Sequence, residues 1–246
     1  MIGTAILYSG LAAFAAALFL LVRVHPALGR RGALLVLGAG LVLAALGALL
    51  PAGESRTKRS DRIDRFLPRW HFNEVHETTV FAPASRVVQA IHAVTPGEIR
   101  FLRTLMMVRG LGLHRRSPDE EGRPMLEVAR QGGFLILDED ADRELVLGVA
   151  GRFWRMAGTR VPVAGPAEFL AFDRAGCAKA AFNFRLEDGG PGRTRVITET
   201  RILAIDDEAR LKFGAYWRLI YPGSALIRRS WLAAIKARAE SNGEER

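Results

Sequence analysis

Two long apolar runs open the chain. Residues 1–22 and 32–53 contain no Asp, Glu, Lys, Arg or His, and Leu, Ala, Val and Gly make up most of both. At roughly 1.5 Å rise per residue each run reaches about 33 Å as a helix, which matches a hydrocarbon core of about 30 Å. The stretch RVHPALGRR that joins them is short. The pattern therefore predicts a transmembrane helical hairpin over residues 1–53, with two spanning helices.

Small residues are frequent in the second run, at Gly38, Gly40, Ala44, Gly47 and Ala48. They would let the two helices approach closely, because packing rather than hydrophobicity drives helices together in lipid. A cleaved signal peptide and a pair of buried core helices are the alternatives, but no Lys or Arg precedes the first run and both runs are very apolar. Basic residues near the helix ends favour a cytoplasmic location for the remaining chain, although the first helix alone favours the opposite.

A basic segment, residues 54–69, follows the hairpin. The formal net charge of the chain is +9, of which residues 1–53 contribute +3. Each basic residue near an anionic membrane surface contributes about 1 kcal/mol of attraction. We therefore expect a lipid bilayer to be the partner of Arg56, Lys58, Arg59, Arg62, Arg65 and Arg69. Nucleic acid is the rival partner, and interleaved acidic residues together with the absence of a basic–aromatic module argue against it.

After residue 69 the periodicity becomes that of a globular domain, residues 70–240, which precedes a short tail at 241–246. Alternation and helical spacing predict its elements. In chain order they are a strand at 71–81, helices at 84–94 and 97–109, a helical turn in PMLEVARQ, strands FLILDED and ELVLGVAGRFW, a hairpin of CAKAAFNFRLE with TRVITETRILAI, and a helix at 207–240. In the hairpin, Phe182 and Phe184 share a face predicted to meet the core, while Lys179 and Asn183 are predicted to face water.

The stretch VFAPASRVVQAI, residues 80–91, takes the chain directly from a strand into a helix. Pro83 suits this corner, because proline fits the first turn of a helix and disfavours helix in the residue before it. A curved antiparallel sheet needs its concave side filled, and the long terminal helix can lie there. Pro222 removes a backbone donor from that helix, so we expect a break or kink around it. The element order predicts an α+β fold.

Two stretches resemble a known superfamily. TTVFAPASRVVQAI resembles the opening of the START and Bet v 1-like (SRPBCC) group, which includes polyketide cyclases and lipid-transfer proteins. AFNFRLED with GRTRVITETRILAIDDEA is similar to the last two strands of that group, where a Thr-rich strand leads into the terminal helix. The resemblance spans about residues 71–240. A membrane hairpin in front of such a domain is uncommon in that group. It implies a helix-grip fold whose apolar cavity binds a lipid, sterol, polyketide or isoprenoid-like molecule.

The candidate cavity lining consists of large apolar side chains expected on the sheet and the terminal helix: Phe153, Trp154, Phe182, Phe184, Trp217 and Ile220. The candidate polar contacts to a ligand are Asn183, Thr198 and Thr200. Plain core packing is the alternative for each aromatic residue, because aromatic side chains on sheets and helices mostly fill cores. Glu199 and Arg201 share the opposite strand face from the two threonines, which is typical of an ion pair.

Candidate acid–base chemistry rests on Glu74 and His76, which share one strand face, with Asn183 as a third polar group. A solvated strand face is the alternative. Cys177 is the only cysteine, so an internal disulfide is excluded. Phosphate-loop, dinucleotide, zinc and nucleophile-elbow signatures are absent, and we expect neither cofactor nor metal. The leading hypothesis is membrane-anchored binding or transfer of a hydrophobic small molecule; the alternatives are a cyclase- or dehydratase-type enzyme and a noncatalytic membrane assembly protein. The oligomeric state stays open.

Overall fold

The computed structural model describes residues 2–23, 29–50, 52–57, 61–109, 121–140, 143–155 and 160–241. Lys58 and Arg59 of the basic segment, and residues 242–246 of the predicted tail, lie outside these ranges. Within them, two N-terminal helices precede an α+β unit in which a six-stranded antiparallel sheet packs against a long C-terminal helix. This arrangement fits the helix-grip fold predicted from the sequence.

The helices of the described residues are α1 (Ile2–Arg23), α2 (Gly29–Leu49), α3 (Arg62–Phe66), α4 (Ala84–Ala93), α5 (Leu102–Arg109), α6 (Met125–Gln131), α7 (Pro166–Ala171) and α8 (Asp207–Ser241), with a 3₁₀ helix at Pro96–Glu98. The strands are β1 (Ser55–Arg56), β2 (Arg69–Trp70), β3 (Phe72–Val80), β4 (Leu135–Asp140), β5 (Glu144–Gly151), β6 (Arg160–Val161), β7 (Ala178–Asp188) and β8 (Thr194–Ala204). The single helix predicted at 97–109 is divided at Phe101, whose φ of 64° is incompatible with a continuous helix.

Helices α1 and α2 cross at glycine residues. A Cβ atom on Gly40 would lie 2.8 Å from the backbone oxygen of Gly10, and one on Gly10 would lie 2.4 Å from the backbone nitrogen of Ala44. Only glycine fits at such distances, so the close approach predicted from the small residues is present. Gly38 lies off this contact, since a Cβ atom there would meet no atom within 4 Å.

One helix in the described part of the chain is long and apolar enough to cross a membrane. It is α2, whose residues 31–48 have a mean hydropathy of 1.9. The apolar part of α1, residues 5–21, is shorter. At about 1.5 Å per residue it falls short of a hydrocarbon core of about 30 Å. The structure therefore supports one spanning helix by length and composition, and it does not support the two that the sequence predicted.

The main sheet has the strand order β3-β8-β7-β5-β4, with β6 also paired to β5. In the pairing of β3 with β8, Glu74 lies opposite Thr200 and His76 lies opposite Thr198. These residues belong to the inner face, which we define as the face that packs against α4 and α8. The outer face packs against α3 and α7 through a second cluster that contains Ile63.

The corner between β3 and α4 confirms the prediction for residues 80–91. Val80 ends β3, and Pro83 occupies the N-cap of α4 with φ −66° and ψ 154°. The Thr194 hydroxyl donates to the carbonyl oxygen of Ala82 at 2.8 Å, which anchors the corner to the start of β8. The fully buried Val87 of α4 then packs on the inner face.

The prediction that Lys179 and Asn183 face water was wrong. Both lie on the outer face, as the alternation indicated, yet they are only 7% and 1% exposed. Helices α3 and α7 cover this part of the sheet. The Lys179 ammonium donates to the carbonyl oxygens of Phe169 and Leu170 at 3.2 Å, and burial lowers the pKa of its side chain.

The predicted break in the terminal helix is absent, because α8 runs through Pro222 as one helix. A proline has no backbone N–H, so the carbonyl oxygen of Arg218, four residues earlier, loses its helical donor. The Tyr8 hydroxyl of α1 donates to this carbonyl oxygen at 2.6 Å. A side chain from the N-terminal helices therefore supplies the hydrogen bond that proline removes.

Candidate functional site

Five polar side chains meet between the inner face and α8, and we call them the inner polar group: Glu74, His76, Thr200, Ser224 and Arg228. The Ser224 hydroxyl donates to Glu74 Oε1 at 2.6 Å. Arg228 Nε lies 3.9 Å from the same oxygen, and His76 Nε2 lies 3.5 Å from Glu74 Oε2. A hydroxyl, an imidazole and a guanidinium thus converge on one carboxylate inside the fold.

Burial distinguishes these residues from a solvated strand face. Glu74 is 3% exposed, and His76 and Thr200 are each 8% exposed. The prediction that Glu74 and His76 share a face is confirmed, and the alternative that this face meets water was wrong. The reason is the topology, because β3 is the edge strand beside β8 and its inner face is covered by α8.

Several polar atoms at this place make no hydrogen bond among the described residues: Glu74 Oε2, His76 Nε2, Thr200 Oγ1, Arg228 Nη1 and Trp231 Nε1. The first two have each other as an ionic partner, at 3.5 Å. A buried polar group without a partner costs about 1–3 kcal/mol. Native structures pair the large majority of such groups, and exceptions call for an explanation such as a bound water, an ion or a functional role. Here the exceptions are concentrated at one place instead of being scattered over the fold.

Arg228 lies against aromatic rings as well as against Glu74. Its guanidinium carbon is 4.0 Å from the centre of the Phe182 ring and 5.7 Å from that of Trp231. Burial lowers the pKa of Arg228 to about 10, and the nearby Glu74 carboxylate partly opposes this shift. The side chain is therefore a cation at neutral pH. Its ring contacts and the Glu74 carboxylate offset the lost hydration.

Apolar clusters lie on both sides of the inner polar group. On one side the Trp231 ring centre is 5.9 Å from that of Phe182 and 5.0 Å from that of Phe184. On the other side Phe213 stacks on Trp217 at 5.8 Å and contacts Phe72, Phe153 and Trp154. Ile220 and Tyr221 belong to the same cluster. The predicted lining residues thus divide into two groups at opposite ends of the inner face. Their contact with a ligand stays a prediction.

Two predicted polar contacts have structural partners instead. Asn183 lies on the outer face, where it donates to Glu144 Oε1 at 2.6 Å and accepts from the Glu199 backbone N–H at 2.7 Å. Burial raises the pKa of the Glu144 carboxyl, which hydrogen bonds from Asn183 and the backbone of α3 oppose. The Thr198 hydroxyl donates to the Asn183 carbonyl oxygen at 2.7 Å. Asn183 is therefore separated by the sheet from Glu74 and His76.

The outer face carries two open clefts of about 630 and 620 Å³. Both are lined largely by charged side chains that pair with one another. Arg201, which is 2% exposed, pairs with Glu199 and Asp64 and stacks on the Trp70 ring at 4.1 Å. Neither cleft is the apolar cavity expected between the sheet and the terminal helix. The ion pair predicted for Glu199 and Arg201 is present, with Asp64 of α3 as a third member.

The basic segment divides by its contacts. Arg62 and Arg65 both pair with Asp138 of β4, at 2.9 Å and 3.0 Å, so their charges are turned toward the sheet. Arg56 and Arg69 pair with Glu54 at 3.4 Å and 3.7 Å, and their side chains are 70% and 49% exposed. Contact of these residues with a membrane surface stays a prediction. The Arg65 side chain is 68% exposed, so Arg56 and Arg65 are the most accessible of the four.

Sequence reasoning missed the contribution of α8 to this site. Arg228 of α8 points to the inner face, against Glu74 and Phe182. The spacing of Ser224, Arg228 and Trp231 by four and three residues places them on one helical face, and this was the available signal. Nothing local indicates that Glu74, on a strand far away in the chain, lies opposite.

Comparison with known proteins gives weak similarities. No protein-family model matches the chain, and no curated protein sequence matches it. Among solved structures, a hypothetical protein from Helicobacter pylori has 10% identity, covers 75% of this chain and 98% of its own, and has a TM-score of 0.38. Ara h 8.0201 has 13% identity with coverages of 69% and 98% and a TM-score of 0.33. The Zhui aromatase/cyclase from Streptomyces sp. R1128 has 16% identity, coverages of 71% and 96%, and a TM-score of 0.28. At these values the similarities assign neither a family nor an activity.

Proposed function

We propose that the protein is anchored to a membrane and binds a hydrophobic small molecule between the inner face and α8. The observation that carries this proposal is the set of unpartnered polar atoms inside an otherwise apolar interior. A ligand with an apolar body and a small polar group would pair these atoms and contact the aromatic residues beside them. Pairing removes a cost of about 1–3 kcal/mol for each atom, which favours the bound state.

The chemistry of the unpartnered atoms indicates the polar group that fits. Arg228 Nη1 and Trp231 Nε1 donate hydrogen bonds, Glu74 Oε2 accepts them, and the Thr200 hydroxyl does both. The charges of Glu74 and Arg228 already offset each other. A further buried charge would be unpaired and costly, so an uncharged group with a carbonyl oxygen and a hydroxyl fits best.

Membrane anchoring is supported by the apolar surface of the N-terminal helices. Leu35, Leu41 and Val42 of α2 are 75%, 49% and 58% exposed, and Phe19 of α1 is 59% exposed. Exposed apolar side chains at this density are costly in water and favourable in lipid. Ligand exchange with the surrounding bilayer would follow from this location.

Binding can be tested by native mass spectrometry of the full chain in detergent. The probes are monoolein, which has an uncharged head with hydroxyl and carbonyl groups, and methyl oleate, which lacks the hydroxyl. We expect several-fold tighter binding of monoolein. Thr200→Val should reduce this preference, whereas Thr79→Val, at an exposed position on β3, should not. Failure of both probes to bind, or equal binding by wild type and Thr200→Val, would contradict the proposal.

A second candidate function rests on the pair Glu74 and His76. A buried carboxylate 3.5 Å from an imidazole is an arrangement that can move a proton to or from a bound carbonyl compound. This is the cyclase- or dehydratase-type alternative, without Asn183 as a participant. Turnover of an aromatic polyketone probe that is lost in His76→Gln, with monoolein binding retained, would favour it over simple binding.

A further inference from the structure

We infer that the domain contacts the bilayer through an apolar surface on α5 and α8, beside the anchor. We call this the α5–α8 surface and define it by Leu105 and Val108 of α5 and by Leu219 and Leu226 of α8. The inference rests on the membrane anchoring proposed above, and it identifies which part of the domain the lipid touches.

The first observation is that Arg218 of α8 binds the C-terminal end of α2. Its Nη1 atom donates to the carbonyl oxygen of Ala48 at 2.7 Å, and its Nη2 atom donates to that of Leu50. Carbonyl groups in the last turn of a helix have no partner within the helix. Ala48 is one residue before the end of α2, near the end of the uncharged run 32–53. Arg218 is therefore held where the anchor would leave the hydrocarbon core.

The second observation is the contact from α1. Because α1 and α2 are antiparallel, Tyr8 lies near the same end of the hairpin as Ala48. Its hydroxyl bonds the carbonyl oxygen of Arg218 itself. Arg218 is 5% exposed, and burial lowers the pKa of its guanidinium. Two separate helices thus hold one residue of α8, which fixes α8 beside the bilayer boundary.

The third observation is the surface next to this junction. Leu219, which follows Arg218, is 72% exposed, and Leu226 on the same helical face is 38% exposed. Between them, a Cβ atom on Gly223 would lie 3.5 Å from the Leu105 side chain, so α5 packs directly against this face. Val108, one turn further along α5, is 66% exposed. Exposed apolar side chains therefore lie on both of the helices that meet at Gly223.

The position of the α5–α8 surface beside the anchor favours the bilayer as its partner. The α5–α8 surface begins one residue from the anchor junction, so lipid reaches it wherever α2 is inserted. Moving an exposed leucine from water into an apolar environment is favourable, because apolar surface is removed from water. Ser224 of the inner polar group follows Gly223 directly in the chain. A molecule leaving the bilayer at this surface would therefore enter beside the candidate site.

A fluorescent probe at single cysteines tests the inference in the full chain. The native Cys177 is fully buried and can be replaced by alanine. Variants Leu219→Cys and Val108→Cys would be labelled with an environment-sensitive nitrobenzoxadiazole group. They would then be reconstituted in vesicles of phosphatidylcholine and phosphatidylglycerol that contain a doxyl-labelled lipid. We expect blue-shifted emission and several-fold stronger quenching than for Glu77→Cys, whose side chain on the outer face is 54% exposed.

A fourth label, at Leu41, separates the two proposals. Leu41→Cys reports on α2 itself, and it is quenched only where the anchor lies in lipid. Quenching at Leu41→Cys together with water-like, unquenched emission at Leu219→Cys and Val108→Cys would overturn the α5–α8 surface while leaving the anchor intact. Absence of quenching at Leu41→Cys would overturn membrane anchoring, and with it this inference.

Discussion

The stability contributed by the hydrogen bond from Tyr8 to Arg218 should depend on Pro222. In the wild-type chain the Arg218 carbonyl oxygen accepts from the Tyr8 hydroxyl at 2.6 Å and has no helical donor. Tyr8→Phe removes the hydroxyl and leaves this oxygen unpaired. We expect a loss of about 1–3 kcal/mol in the free energy of unfolding, which is the cost of a buried polar group without a partner.

Replacing Pro222 should reduce the loss of stability that Tyr8→Phe causes. In Pro222→Ala the new backbone N–H can bond the Arg218 carbonyl oxygen within α8. The Tyr8 hydroxyl then contributes only an additional hydrogen bond, with a net effect of about 0.5–1.5 kcal/mol. The double-mutant cycle should therefore show a coupling of about 1 kcal/mol between Tyr8 and Pro222. A coupling of this size is typical of residues that share one hydrogen-bond network.

The measurement is guanidinium chloride unfolding of the full chain in a mild detergent, followed by tryptophan fluorescence. Trp217 precedes Arg218 and reports on the junction directly. The four proteins required are wild type, Tyr8→Phe, Pro222→Ala and the double variant. Equal costs of Tyr8→Phe in the two backgrounds would refute the reasoning, because the carbonyl oxygen would then have another donor in both.

Three further predictions concern the hairpin, the outer face and pH. Gly40→Ala should destabilise the full chain by about 1–3 kcal/mol through overpacking at the helix crossing, while Gly38→Ala should be neutral or stabilising; equal effects would contradict the crossing geometry. Arg201→Met should cost about 3–5 kcal/mol in chemical unfolding, because it leaves buried carboxylates unpaired, whereas Arg195→Met, at an exposed pair, should cost less than about 1 kcal/mol. Hydrogen bonds from backbone N–H groups lower the pKa of Asp206 below its ordinary value of 3.8. Its stabilising contribution is therefore present above about pH 3.8 and is lost as pH falls through the lower folded pKa, so Asp206→Asn should flatten the acid limb of the stability curve, and an unchanged limb would exclude this role.

Local patterns were sufficient for most of the secondary structure and for the fold class. The alternation in β7 and β8 placed Phe182 with Phe184 and Glu199 with Arg201 correctly, because successive strand residues point to opposite faces. The strand-to-helix corner at Pro83 followed from the backbone preferences of proline. The same reasoning placed Glu74 and His76 on one face, although it could not decide whether that face was covered.

Burial and partner choice were decided by tertiary structure. Whether a polar strand face meets water depends on which helix packs on it, and α3, α7 and α8 reach the sheet from distant parts of the chain. Lys179 and Asn183 are buried for this reason, and Arg228 faces Glu74 for the same reason. Alternation within a strand contains no information about these helices.

The sequence by itself determined an apolar N-terminal pair of runs, an antiparallel sheet and a long terminal helix, since each depends on periodicity within one segment. Only the tertiary structure decided that α8 continues through Pro222, because the hydrogen bond that compensates the proline comes from Tyr8, 210 residues before the accepting Arg218. It also decided that a carboxylate, an imidazole and a guanidinium meet inside the fold. Such meetings depend on contacts between segments, which no local pattern encodes.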